Sequence, residues 1–213
     1  MKKAFTLLEL IFVLVVIAII TTTLLPRIQK DKVQEAALQI QTHIRYTQHL
    51  AMVADQYNPK DDNWYKKRWQ IIFSKQSNSD GEWAYTIFSD FAGSSSGRPN
   101  EEEIALNPLD HNQRMTGGYN TGSAALNIRS DSFKGMRQLN LGKTYNISSM
   151  EFSCSQRVSF DYLGRPIKSN LASNSSPYDS NDLIEEDCNI TLSDGKHEKT
   201  VQIHAETGFV EIF

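Results

Sequence analysis

The chain has 213 residues, 39% of them hydrophobic and 22% charged, with a formal net charge of −3. That is enough chain for one domain with its own core plus an appendage. The mild acidity gives no whole-chain reason for a nucleic-acid partner, and the 10% aromatic content argues against a disordered chain.

From Phe5 to Leu25 only Glu9 is charged. As a helix rising 1.5 Å per residue this stretch reaches about 30 Å, the thickness of a hydrocarbon core, and predicts a transmembrane helix over 5–25. A secretory signal peptide accounts for the basic start Met1-Lys2-Lys3. The following Thr21-Thr22-Thr23-Leu24-Leu25-Pro26, however, offers no small-x-small cleavage site. A plain membrane anchor accounts for the length and leaves Glu9 unexplained. A carboxylate in lipid costs up to a few kcal/mol and needs a partner.

The stretch "KKAFTLLEL" resembles the class III leader of type IV pilins and type II secretion pseudopilins. The resemblance implies a leader over 1–4, cleavage between Ala4 and Phe5 by a prepilin peptidase, and N-methylation of Phe5 by the same enzyme. It also implies that Glu9 neutralises the N-terminal amine of a neighbouring subunit, turning a costly acid into a docking register. The plainer alternative is a Glu9 hydrated near the headgroups. The family most often has Gly before the scissile bond, where this chain has Ala4. The location implied is a single pass of a bacterial inner membrane with the C-terminal domain periplasmic. Incorporation into a periplasm-spanning pseudopilus or surface filament would follow.

Pro26 predicts a kink, and residues 26–57 an amphipathic periplasmic helix continuing the first. Val33, Ala37, Ile40, Ile44, Thr47, Ala51 and Ala54 recur every three or four residues on its apolar face, and Asn58-Pro59 ends it. His43 and His49, six apart, read as ordinary surface positions on this helix.

Residues 64–213 change to a period of two. "RWQIIFS" and "EWAYTIFSD", joined by "NSDG", predict a β-hairpin. The stretch 89–125, with "AGSSSGRPNEEE" and "TGGYNTGS", reads as a long surface loop. Further strands are expected at "ISSMEFSC", "RVSFDYLG", "NITLSD", "KTVQIHA" and "GFVEIF". The fold class expected is α+β: a long N-terminal helix, half transmembrane and half amphipathic, packed on a C-terminal antiparallel β domain. The segments "RVSFDYLGRPIKS" and "CNITLSDGKHEKTVQIHAETGFVEIF" resemble the end of the H-type minor pseudopilin and FimT-like group. Turns at Gly164, Gly195 and Gly208 fall where positive φ is needed.

The even pair Cys154 and Cys188, in a chain with an export-like N-terminus, suggests one disulfide, with two buried thiols as the alternative. No nucleophile–base frame or phosphate-cradling loop is present, so the chain reads as a non-enzyme needing no cofactor. "SPYDSNDLIEEDC" gathers Asp179, Asn181 and Asp182 into a conceivable calcium loop, though a solvated acidic loop suits its spacing better. Arg114, Arg129, Lys134, Arg137 and Lys143 form a conceivable DNA-facing patch, with pairing to acidic neighbours as the preferred alternative.

The expected role is a structural minor pilin or pseudopilin at or near a filament tip. Its partners would be sister pilins through the N-terminal helix, the prepilin peptidase, the inner membrane and a secreted substrate. A DNA-binding minor pilin of an uptake system is the alternative.

Overall fold

A computed structural model describes residues 6–24, 31–54, 56–91, 96–168, 170–179 and 182–213. The chain divides into two compact units, Met1–Asp31 and Lys32–Phe213. The first contains helix α1 (Leu7–Leu24). The second is α+β and opens with helix α2 (Lys32–Val53).

The apolar stripe of α2 forms as its spacing predicts. Val33, Ala36, Ala37, Ile40, Ile44, Thr47 and Ala51 are buried, one or two per turn on one face. Ala54, expected on that stripe, is only half-buried, beyond the end of the helix at Val53. The Thr47 hydroxyl is satisfied inside the stripe by donating to the His43 carbonyl at 2.8 Å.

The predicted hairpin is β1 (Trp69–Lys75) and β2 (Trp83–Ser89), in register from Trp69 opposite Ser89 to Lys75 opposite Trp83. Eight further strands follow among the described residues. β3 (Leu106–Asn107) and β4 (Asp110–Arg114) form a small ribbon. A short helix α3 (Leu141–Tyr145) precedes β5 (Ser149–Phe152). β6 (Arg157–Phe160) and β7 (Pro166–Ile167) extend the first sheet, in the order β2-β1-β6-β7. β8 (Cys188–Ser193), β9 (Glu198–Ile203) and β10 (Val210–Ile212) complete a second sheet, in the order β10-β9-β8-β5. α2 packs on β1 and β6 of one sheet and on β8, β9 and β10 of the other, so a single helix face closes both. The core between them holds Ile40, Ile44, Phe73, Tyr85, Phe160, Ile190, Val201 and Val210. Burying each such aliphatic or aromatic side chain contributes about 1.5–3 kcal/mol.

Two expectations are corrected here. Among the described residues there is no single long helix, half transmembrane and half packed on the β domain: α1 and α2 fall in separate units. Among the described residues no helix is long and apolar enough to cross a membrane, which overturns the transmembrane helix over 5–25 and the single-pass inner-membrane location. The physical reason lies in the polar positions. α1 has 18 residues, about 27 Å. With Glu9 near its start and Thr21 and Thr22 near its end, the uninterrupted apolar stretch is Leu10 to Ile20, about 16 Å against a hydrocarbon core of about 30 Å. Pro26 and its kink lie outside the described residues.

The surface loop over 89–125 is also more structured than its composition suggests. Ile104 from this segment and Leu126 just beyond it close over Phe88 to make a second small core, and Ala105, Met115 and Tyr119 are buried. β2 is nearly all buried because this segment covers the face that α2 does not.

Candidate functional site

α1 carries apolar side chains on every face. Leu7, Leu8, Leu10, Ile11, Phe12, Leu14, Ile17, Ile19 and Ile20 are all exposed, with Leu8 at 80%. A helix that is apolar all round, without a polar stripe, is the kind that other apolar surface covers. Its start is closed by a reciprocal pair. The Glu9 amide donates to Thr6 Oγ1 at 3.3 Å, and Glu9 Oε2 accepts from the Thr6 amide at 3.5 Å. Thr6-Leu7-Leu8-Glu9 is thus a capping box, a signal plain in the sequence but passed over in favour of Glu9 as an assembly residue. At the other end Thr21 and Thr22 turn their hydroxyls inward, donating to the Ile17 and Ile19 carbonyls at 2.7 and 2.9 Å. Ala4 and Phe5, the expected cleavage and methylation residues, lie outside the described residues.

Cys154 and Cys188 form a disulfide with Cα atoms 5.4 Å apart, fastening the chain just after β5 to the first residue of β8. Between these cysteines runs the turn "FDYLGR". Asp161, fully buried, accepts from the amides of Leu163 and Arg165 at 2.9 Å each. Its other oxygen accepts from Arg165 Nε at 2.8 Å and from the Tyr178 hydroxyl at 3.2 Å. Gly164 at the turn's apex has φ +82°. Its carbonyl accepts from Gln48 Nε2 on α2, which also donates to Thr207. Gly208, at φ +65°, must be glycine twice over, since a Cβ there would sit 2.5 Å from the Gly164 oxygen. α2 and the turns at Gly164 and Gly208 therefore meet at one point.

His43 is not the surface residue expected. Its Nδ1 lies 2.6 Å from the Tyr85 hydroxyl, which accepts from Gln39 Nε2 at 2.7 Å, while Gln39 Oε1 accepts from the Tyr145 hydroxyl at 2.7 Å. With its oxygen accepting from Gln39, Tyr85 directs its own hydrogen to a neutral His43 ring. Burial lowers the His43 pKa to about 4 and pushes the Tyr85 phenol well up. His49 is exposed, as expected.

The acidic loop is internally bonded. Asp179 accepts from Ser176 Oγ at 2.6 Å, which holds its carboxyl below the usual range, and Asp182 accepts from Asn174 Nδ2. Asn181 lies outside the described residues. Among the described residues no group of three or more His, Cys, Asp or Glu is arranged to hold a metal.

Each of the basic residues is engaged by a partner within the chain. Arg114 and Lys134 face Glu101, at 3.7 and 3.2 Å, while Arg129 and Lys143 both pair with Asp80. Arg137 donates to the Ile128 carbonyl and lies over the Phe133 ring.

Sequence reasoning passed over a cavity of about 610 Å³ at the C-terminal end of α2. Tyr57, Trp64, Trp69, Phe160, Tyr162 and Tyr178 line it, with Gln56 and Arg68 as polar members. Arg68 is only 4% exposed, and burial pulls its guanidinium below its usual pKa. No protein-family model, curated protein or solved structure matches this chain.

Proposed function

We propose that this chain is a structural subunit of a pilin-like filament, assembling through α1 packed against the α1 helices of other subunits. The observation that carries the proposal is the helix itself, which is apolar on every face and exposed from Leu7 to Thr22. Cover by like helices removes that surface from water at about 25 cal/mol per Å². The leader motif "KKAFTLLEL" supplies the processing step: a prepilin peptidase cuts after Ala4 and methylates the new N-terminus at Phe5. The freed amine, four residues before Glu9 in sequence, is the proposed partner of a neighbour's Glu9 carboxylate. The chain carries no catalytic chemistry of its own and acts by assembling and by presenting its β-rich unit.

The test is cross-linking of the full chain in the cells that make it, with single cysteines introduced at Phe12 or Ile17. Bridges between α1 segments of separate subunits, lost on adding Leu14→Asp, support assembly through this helix. A chain that cross-links only within itself at every position rules it out.

A further inference from the structure

The two four-stranded sheets have four outer edges, formed by β2, β7, β10 and β5. Three of them are covered. On β2 the Ile87 amide donates to the Met115 carbonyl at 3.0 Å, and the Ala105 and Gly117 amides donate to the Ile87 and Tyr85 carbonyls. On β7 the Ile184 amide donates to the Pro166 carbonyl at 3.2 Å. Lys168, one residue past that strand, donates to the Asp182 carbonyl at 2.9 Å. On β10 the Val210 carbonyl accepts from Gln41 Nε2 and Arg45 Nη2, both on α2.

β5 is the exception. Its inner side pairs with β8, in register from Ser149 opposite Ser193 to Phe152 opposite Ile190. Just past the strand the Ser153 amide donates to the Asn189 carbonyl at 3.0 Å, which sets the phase of the ladder. Ser149, Glu151 and Ser153 therefore bond towards β8, and Met150 and Phe152 turn their N–H and C=O groups outward. Those four groups find no partner among the described residues, and β8 is the one described element that runs alongside the strand. An edge of this kind is a template for another chain.

The side chains say what kind of chain. Met150 is buried, and Phe152 is half-buried against Phe73 and Trp83, with ring centroids 5.5 and 5.9 Å apart. On a strand laid along this edge, the residues opposite Met150 and Phe152 point to that aromatic side, and the residue between them points to the exposed side with Glu151. Glu151 stands opposite the uncharged Thr191 and meets no cation among the described residues. Where β5 ends, a cavity of about 570 Å³ begins at Ser153 and adds Glu185, Glu186 and Asp187 against one cation, Lys168. A second copy of β5 is a poor fit for the edge. The symmetric pairing, Met150 opposite Phe152, sets Glu151 directly against its own counterpart, and like charges so placed destabilise a sheet.

We propose that the β5 edge takes up an extended segment of a partner polypeptide, one with a basic residue between two apolar residues, as a fifth strand of the second sheet. Backbone hydrogen bonds from Met150 and Phe152 hold the segment, the apolar residues pack beside Phe152 and Trp83, and the basic residue pairs with Glu151. The proposal uses no residue of α1 and does not rest on filament assembly.

The test titrates the full chain, kept in detergent, with the peptide acetyl-Thr-Ile-Lys-Ile-Thr-amide and reads amide hydrogen exchange residue by residue by NMR. Saturating peptide should slow exchange at Met150 and Phe152 by at least about tenfold and change Glu151, already bonded to β8, far less. Methylating the two isoleucine nitrogens removes the peptide's donors and should abolish binding. Replacing its lysine by glutamate should weaken binding about fivefold, and Glu151→Lys, at an exposed position, should reverse that preference. No slowing at about 1 mM peptide, binding indifferent to methylation, or equal binding of the lysine and glutamate peptides overturns the proposal. Slowing at Met150 and Phe152 that grows with the concentration of the chain alone makes the occupant a second copy and overturns it too.

Discussion

Gln48 on α2 donates its Nε2 hydrogen to the Gly164 carbonyl at 2.8 Å, and through the same nitrogen to Thr207 at 3.0 Å. One side chain thus fastens the helix to the β6–β7 turn and to the turn before β10, joining both sheets. Gln48→Ala leaves two turn carbonyls short of a donor and should cost about 1–2 kcal/mol. Urea unfolding of the variant against the parent measures it. A change within about 0.3 kcal/mol would show that solvent replaces the amide without loss.

His43 sets a pH dependence with a definite sign. Its folded pKa, lowered to about 4 by burial, lies below the unfolded value of 6.5. The unfolded chain therefore takes up a proton first as pH falls, so stability is full above about 6.5 and declines between 6.5 and 4. The decline attributable to this residue is about 2 kcal/mol after allowing for partial exposure. His204, held by Glu211 at 2.6 Å with its pKa raised, has the opposite sign: its contribution is present below 6.5 and fades as pH rises through the folded value. Comparing the parent with His43→Gln by denaturation at pH 7 and pH 4.5 isolates the first effect. The variant should lose less stability on acidification than the parent, and parallel losses would contradict the assignment.

The disulfide closes a loop across a sequence separation of 34. Its reduction should destabilise the β-rich unit by about 4 kcal/mol in the loop-entropy account. Thermal melts with and without reductant test this, and a melting temperature that does not move would show that the core alone holds the second sheet.

Much of this architecture was legible because it is local. The α2 stripe, the β1–β2 hairpin and the turns at Gly164, Gly195 and Gly208 each follow from periodicity or from a backbone angle that one residue type tolerates. The buried part of 89–125 was hidden by its polar composition: the short run Ile104-Ala105-Leu106 follows three glutamates, and Phe88, the partner of Ile104, lies on β2. His43 was misplaced for the same reason, since its environment is made by Tyr85, 42 residues away. The first helix falls short as a membrane span because Glu9, Thr21 and Thr22 limit its uninterrupted apolar stretch to Leu10–Ile20. Arg68 had no signal at all, because a buried guanidinium is a property of three-dimensional neighbours.

Glu9 carries two roles that substitution can separate. Glutamine keeps the capping-box geometry and removes the charge, whereas alanine removes both. Glu9→Ala should cost α1 about 1 kcal/mol of helix stability and Glu9→Gln very little. If Glu9 pairs with a neighbour's amine, both variants abolish assembly. Assembly that survives Glu9→Gln and fails only with alanine would make Glu9 a cap and nothing more.

The most direct test of filament assembly is the N-terminus of the chain recovered from the cells that produce it, read by intact-mass and peptide mass spectrometry. A subunit processed for a pilin-like filament begins at N-methylated Phe5, with Ala4 and the residues before it removed. A chain that still begins at Met1, or that has been cut after α1, contradicts the proposal and leaves Glu9 as the cap of an unassembled helix.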